Sequence, residues 1–460
     1  MTSSGPFASD CAEFYRLRNQ RTETYIERAW MPTRTVRVAI DAESAESEVG
    51  QHLLLSLVNI LARAHRRIIV TMPTGAIPLR TFSLVSAPTL REATLATANA
   101  IDPCGQFDDA VDGGDITIGI GSNAEMGLDW YLGANRAVGR LDVKPMTLNT
   151  NTRASLRGAG VAAVLGAAAV FKAELGLSIV PRTLSAWNYR EAEAAAYGPD
   201  SLEPLNVGRV LLVGAGAVAA GLVYWLRSWG VEGEWVVADR DVVKLHNTNR
   251  GMLFLPSHAG WPAGVEQSKA SLLATLLPAA QSVRNWYHSL ETELRDSSFD
   301  VVLALANDHG VRRQLAERNS IVLLHATTGN NWLSQLHRHI AGHDDCIDCR
   351  LPTDTPIEFA CSTAPISSAA EERVDAALPF LSAASGLMLA TALQRLQLGV
   401  LADVPQNNWR WDFLSDYAMA ATPARSRCRD SCRSWYSPKI RAMRNQGTRW
   451  AHLDRSHSLG

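Results

Sequence analysis

Net charge is nearly absent from this chain. Its 44 lysines and arginines face 46 aspartates and glutamates, leaving -2 over 460 residues. So small an imbalance gives no general case for nucleic acid or for an acidic partner. A secretory leader is not expected either, because Met1-Thr2-Ser3-Ser4-Gly5-Pro6 supplies neither a basic region nor an apolar core. Membrane spans are also not expected. The apolar run at 159–171 is too short for a bilayer. The run at 376–393 contains Pro379 and many small residues, which predicts a buried helix. The expectation is a soluble, cytoplasmic protein. What remains is ordinary globular composition, 47% hydrophobic and 20% charged. The length suits two domains or one large two-part fold.

The chain carries a worn internal repeat. Residues 209–239 read as a strand, a tight glycine turn, an apolar helix and a second strand closing on Asp239. An apolar strand follows at 300–307 (DVVLALAN), then a helix at 387–398 ending at Gly399, then an aromatic strand at 408–413 (NWRWDF). The first half runs through a similar series in the same order. It has a strand at 37–41 (RVAID), a helix at 53–64, strands at 68–71 and 115–121 (DITIGIG), a helix end at 167–176 and an aromatic strand at 186–189 (AWNY). Two copies of one α/β unit are therefore predicted, joined between Pro181 and Pro204. In the first copy Ala42-Glu43-Ser44 replaces the glycine turn, so that copy is expected to bind no phosphate.

In the second copy Gly214-Ala215-Gly216-Ala217-Val218-Ala219 matches the phosphate-binding fingerprint G-x-G-x-x-G/A between strand and helix. Gly214 permits the turn. Gly216 lets backbone approach a phosphate at a helix N-terminus. Asp239 is placed to take ribose hydroxyls. A nicotinamide oxidoreductase fits these residues as well as an ATP enzyme does.

The residues that follow narrow the choice. Asp239-Arg240-Asp241-Val242-Val243-Lys244-Leu245-His246-Asn247-Thr248-Asn249-Arg250 resembles the D-x-D-x-V-x-x-S-N-L-x-R stretch of the ubiquitin-activating-enzyme family, the ThiF/MoeB superfamily. Gln267-Ser268-Lys269 stands where that family places its nucleotide lysine. Ala306-Asn307-Asp308-His309 with Arg313 resembles its T-D-N-x-x-x-R segment, His309 departing from the usual asparagine. The resemblance implies two Rossmann-like adenylation lobes, the N-terminal one degenerate (1–200) and the C-terminal one active (201–435), with a basic tail at 436–460. It implies ATP and Mg²⁺. Arg250 and Lys269 would neutralise phosphate charge, Asn247 would bond phosphate or ribose, Asp308 would hold Mg²⁺, and Gly214, Gly216, Asp239 and Asp241 would complete the nucleotide site. Family members also insert an arginine from a partner copy's N-terminal helix, for which Arg16 or Arg18 is the candidate.

Four of seven cysteines form two close pairs, Cys346/Cys349 and Cys428/Cys432. Thiolates at that spacing can share one tetrahedral ion, and two pairs close a structural Zn²⁺ site with no open position. Cys361 lies between the pairs, among the small residues Ser362, Thr363 and Ala364. The resemblance makes it a nucleophile that accepts the activated protein as a thioester. Cys11 and Cys104 read as structural.

Taken whole, the resemblance implies ATP-dependent adenylation of the C-terminal carboxylate of a ubiquitin-like protein. Thioester formation on Cys361 and transfer to a conjugating enzyme would follow. The build is similar to bacterial Bil-type conjugation systems of antiphage defence. A pseudo-dimer within one chain is expected, with association of two chains left open, and neither nucleic acid nor membrane is expected as a partner. The alternatives are a sulfur-carrier adenylyltransferase of thiamine or molybdopterin type and, from another class, an NAD-dependent oxidoreductase. A non-catalytic ATP-sensing scaffold fits less well, since Arg250, Lys269 and Asp308 are all present. Residues 433–460 are too few to fold as a further domain and read as a solvated, basic end.

Overall fold

The computed structural model describes residues 8–26, 29–109, 113–285, 294, 298–317, 320–329, 331–350, 378–421, 432–445 and 449–453. A helical arm, α1 (Ala8–Arg18) and α2 (Gln20–Ile26), precedes the first sheet. That half comprises β1 (Val36–Ile40), α3 (Ala42–Glu46), α4 (Glu48–Leu61), β2 (Arg67–Thr71), α5 (Leu90–Ile101), β3 (Gln106–Asp108), β4 (Ile116–Ile120), β5 (Trp130–Asn135), β6 (Val138–Asp142), α6 (Ser155–Glu174) and β7 (Arg182–Ser185). The second half comprises β8 (Arg209–Val213), α7 (Ala217–Trp229), β9 (Glu234–Ala238), α8 (Lys269–Ala274), β10 (Ala280–Val283), β11 (Val301–Ala304), α9 (His309–Glu317), β12 (Val322–Gly329), β13 (Leu333–Ile340), α10 (Ile347–Arg350), α11 (Pro379–Gln397), β14 (Asn408–Asp412), β15 (Tyr417–Ala421) and α12 (Arg433–Arg444).

The two sheets have the same plan. The first runs β3-β2-β1-β4-β5-β6-β7, and the second runs β10-β9-β8-β11-β12-β13-β14-β15. In each, five parallel strands are followed by an antiparallel extension, β5-β6-β7 and β12-β13-β14. The repeat read from the sequence is thus a matched pair of parallel-rich α/β sheets. The central parallel strands β8 and β11 are buried on both faces, which is why VLLV and VVLA are continuous apolar runs.

Helices α6 and α11 occupy equivalent places and lie at the centre of the molecule. Both are buried nearly all round, so neither shows a one-sided apolar stripe. The sequence reading of 159–171 as too short for a membrane needs correction. The helix that contains it, Ser155–Glu174, is long and apolar enough to cross one, but 94% of its apolar window is buried inside the protein. It is a core helix. Glycines let α7 and α11 cross closely, since a Cβ on Gly386 would stand 2.5 Å from the Leu222 nitrogen. One apolar core runs through both halves, and polar bonds cross it. Tyr189 Oη donates to the Met388 carbonyl at 3.1 Å, and buried Lys172 pairs with Asp416 at 2.6 Å.

Two expectations shift here, and a third, the structural role of Cys11 and Cys104, gains its form. The aromatic run AWNY lies just after β7 and packs between the halves, with Trp411 Nε1 donating to the Tyr189 carbonyl at 3.2 Å. Part of the basic tail is packed against the second half: Lys439 donates to the Ala316 carbonyl, and Trp450 Nε1 donates to the Asp300 carbonyl at 2.9 Å. Cys11 and Cys104 form a disulfide that ties the arm to the first sheet.

Candidate functional site

The cleft of interest opens at the carboxyl ends of the parallel strands in the second sheet, where α/β folds place ligands. It encloses about 420 Å³, a volume suited to a nucleotide. Gly214 follows β8 with φ of +96°, and a Cβ there would meet the Ala306 nitrogen at 2.4 Å. That turn accepts only glycine without rearrangement. Gly216 differs: a Cβ there would meet nothing within 4 Å. The backbone at the start of α7 therefore faces open cleft space, as a phosphate cradle requires.

Asp239 staples this turn. One carboxylate oxygen accepts from the Ala215 amide at 2.6 Å and the other from the Asp241 amide at 2.8 Å. Burial pushes its pKa up, and the Lys269 ammonium opposes the shift. Asp241 holds the Lys269 ammonium at 3.0 Å and accepts the Lys269 amide on its carbonyl, which fixes the start of α8. Asn247 sits on a short turn where its side-chain oxygen accepts from the Lys244 amide at 2.9 Å. Asp308 accepts from the Val311 amide at 3.0 Å and so caps α9.

All of the expected nucleotide residues line this one cleft: Gly214, Gly216, Asp239, Asp241, Asn247, Arg250, Lys269 and Asp308. Five basic side chains (Arg21, Arg240, Arg250, Lys269, Arg312) share the lining with three carboxylates (Asp239, Asp241, Asp308). The electrostatic consequence is visible at His246. Burial first, then the charges of Arg21, Arg250, Lys269 and Lys244, hold its pKa down at about 3. The Arg250 Nε is buried without a hydrogen-bond partner among the described residues. A buried guanidinium nitrogen in this state fits an anion that binds later.

Two arginine assignments differ from the sequence reading. Arg313 is 61% exposed and pairs with Glu317, while its neighbour Arg312 lines the cleft and donates to the Ala306 carbonyl at 3.0 Å. In the N-terminal arm Arg16 is exposed on Glu13, and Arg18 is fully buried on Asp102 at 3.0 Å. Arg21 in α2 reaches the cleft instead. The only sequence signal for it was its place one helical turn after Arg18.

The matching turn of the first sheet is filled by the chain itself. Asp41 follows β1 as Gly214 follows β8. Its carboxylate accepts from the Ser44 amide at 2.7 Å and from the Asn123 amide at 2.9 Å. A phosphate would have to displace that carboxylate from donors it already satisfies.

The ThiF family model matches residues 189–432, more than half of the chain and including the whole cleft-bearing sheet. The chain belongs to the ThiF family. No curated protein matches it. Among solved structures, E. coli MccB with ATP is similar at a TM-score of 0.38 and 13% identity, over 49% of this chain and 66% of that one. E. coli MccB with MccA-N7isoASN gives 0.36 and 13% over the same shares. This ThiF-family chain thus spans slightly less than two thirds of the length of those relatives.

Three cysteines of the ThiF-family chain come together away from the cleft. The Sγ atom of Cys432 lies 3.8 Å from that of Cys346 and 3.5 Å from that of Cys349, and all three sulfurs are within 4.8 Å of one another. Sulfurs on a tetrahedral zinc with Zn–S of about 2.3 Å are about 3.8 Å apart. The Cys349 amide also points at Cys346 Sγ, at 3.4 Å. The donor set fits zinc. The fourth expected ligand, Cys428, and the expected nucleophile, Cys361, lie outside the described residues.

Proposed function

We propose that this protein adenylates the C-terminal carboxylate of a ubiquitin-like protein with ATP and Mg²⁺, takes the activated carboxyl onto Cys361 as a thioester, and passes it to a conjugating enzyme. The reading is carried by one observation: among the described residues of two matched sheets, only the second has an open glycine cradle facing a cluster of basic side chains. Membership of the ThiF family supports it.

In the proposed first step a carboxylate oxygen forms a bond to the α-phosphorus, and the bond from that phosphorus to the pyrophosphate oxygen breaks. Negative charge builds on the phosphate oxygens, and little proton transfer is needed. Arg250, Lys269 and Arg21 supply fixed positive charge there. Gly214 and Gly216 let the chain lie close to the phosphates. Asp308 would hold Mg²⁺, which would offset further phosphate charge. In the second step the Cys361 thiolate attacks the acyl carbon, a carbon–sulfur bond forms, and AMP leaves. Zinc on Cys346, Cys349, Cys428 and Cys432 would have a structural role. About one zinc per chain is expected by metal analysis, and freshly purified protein with none would remove that site.

The test is exchange of labelled pyrophosphate into ATP with Mg²⁺ and a candidate carrier. Cys361→Ala should keep exchange and lose the reductant-sensitive adduct between enzyme and intact carrier. A carrier thiocarboxylate in place of that adduct would point to sulfur-carrier activation. NAD(H) binding with no exchange under any carrier would sink adenylation altogether.

A further inference from the structure

Arg63 belongs to the first half, just beyond α4, yet its hydrogen bonds go to the second. Its Nη1 donates to the carbonyls of Thr248 at 2.5 Å and Phe254 at 2.8 Å, and its Nη2 donates to Met252 at 2.8 Å. Asn59 accepts from its Nε at 3.0 Å and donates to the Met252 carbonyl at 3.1 Å. Arg63 is 1% exposed and forms no ion pair among the described residues. Burying a cation on carbonyl dipoles alone is costly, and simple packing does not require it.

The segment it holds is the one that carries Asn247 and Arg250 into the cleft. The carbonyls of that segment turn to Arg63, while Asn249 turns to the arm, its Nδ2 donating to Thr22 Oγ1 at 3.1 Å. A planar guanidinium can serve three carbonyls in fixed directions, which an ammonium on a flexible stem cannot. We propose that Arg63, with Asn59, is a positioning residue for nucleotide binding: the first half, whose own phosphate turn is filled, sets the nucleotide segment of the second. The inference rests on the adenylation reading for its kinetic readout only.

Arg63→Lys loses the fork, and Asn59→Ala removes the second support if Arg63 variants fold poorly. In either, the KM for ATP in pyrophosphate exchange should rise by about tenfold with a smaller change in kcat, since a small displacement of binding groups weakens alignment. Hydrogen exchange of amides 247–254 should quicken by about tenfold while β1, β2 and β4 stay protected. A folded variant with wild-type KM and an unchanged segment overturns the proposal, as does a uniform rise in exchange over the whole chain, which would mark an ordinary core residue. If the wild type itself shows no pyrophosphate exchange, the adenylation reading fails, and the amide measurement still decides the anchoring.

Discussion

Arg250→Ala is expected to lower pyrophosphate exchange by roughly 10²–10³-fold, the usual loss when one pre-placed group for developing charge is removed. Thermal stability should barely move. Arg250 lines the cleft, and among the described residues its Nε has no hydrogen-bond partner and its guanidinium makes no ion pair. Its removal therefore breaks few contacts of the folded protein. Lys269 differs, because its ammonium already rests on Asp241. Lys269→Ala should also cut exchange but leave a carboxylate without its cation, raising the local negative charge. Arg250→Lys separates charge from shape and should fall between wild type and alanine. Exchange kinetics and thermal melts on the same preparations decide the matter. Near-normal exchange by the alanine variant would remove Arg250 from the phosphate site.

The repeat was legible because its signal is local. A parallel strand covered on both faces favours apolar letters, as Val210–Val213 of RVLLV show, and the order of such runs survives where letters have drifted. The glycine cradle was legible for a similar reason, as Gly214 sits in a backbone state other residues rarely adopt. What escaped the sequence is non-local. Arg63 reads as an ordinary charge near a helix end, and only the fold brings it to carbonyls almost two hundred residues later. Arg21 escaped because nothing local distinguishes it from the other arginines of α1 and α2, and only the fold brings it to the cleft. The Cys11–Cys104 bond joins elements separated by 93 residues with no spacing pattern to announce it. Both oxygens of Asp239, the expected ribose ligand, also accept backbone amides of the turn and its continuation. Its first physical role is to hold the cradle in shape.

Acid should destabilise this protein well before its carboxylates protonate, and two histidines remote from the cleft account for much of that. His52 in α4 packs edge-on to Trp225 at 5.7 Å, and His65 packs against Trp30 at 5.9 Å. Both are essentially unexposed, and none of their ring nitrogens has a partner among the described residues. Burial, joined for His52 by the charge of Arg153, holds both pKa values down at about 3. An unfolded histidine titrates near 6.5. The folded values are the lower ones, so the unfolded chain takes up protons first. Stability is complete above about pH 6.5 and falls as pH drops toward 3. At pH 5 each site should have lost about 2 kcal/mol, a large share of a typical total of about 5–15. Replacing both with leucine breaks no hydrogen bond among the described residues, so stability at pH 7 should hold or rise. Urea midpoints at pH 7, 6 and 5 should then fall much less steeply in the double variant than in the wild type. Equal slopes would shift the acid sensitivity to the other depressed histidines, such as His246 beside the cleft, where a bound nucleotide would alter it.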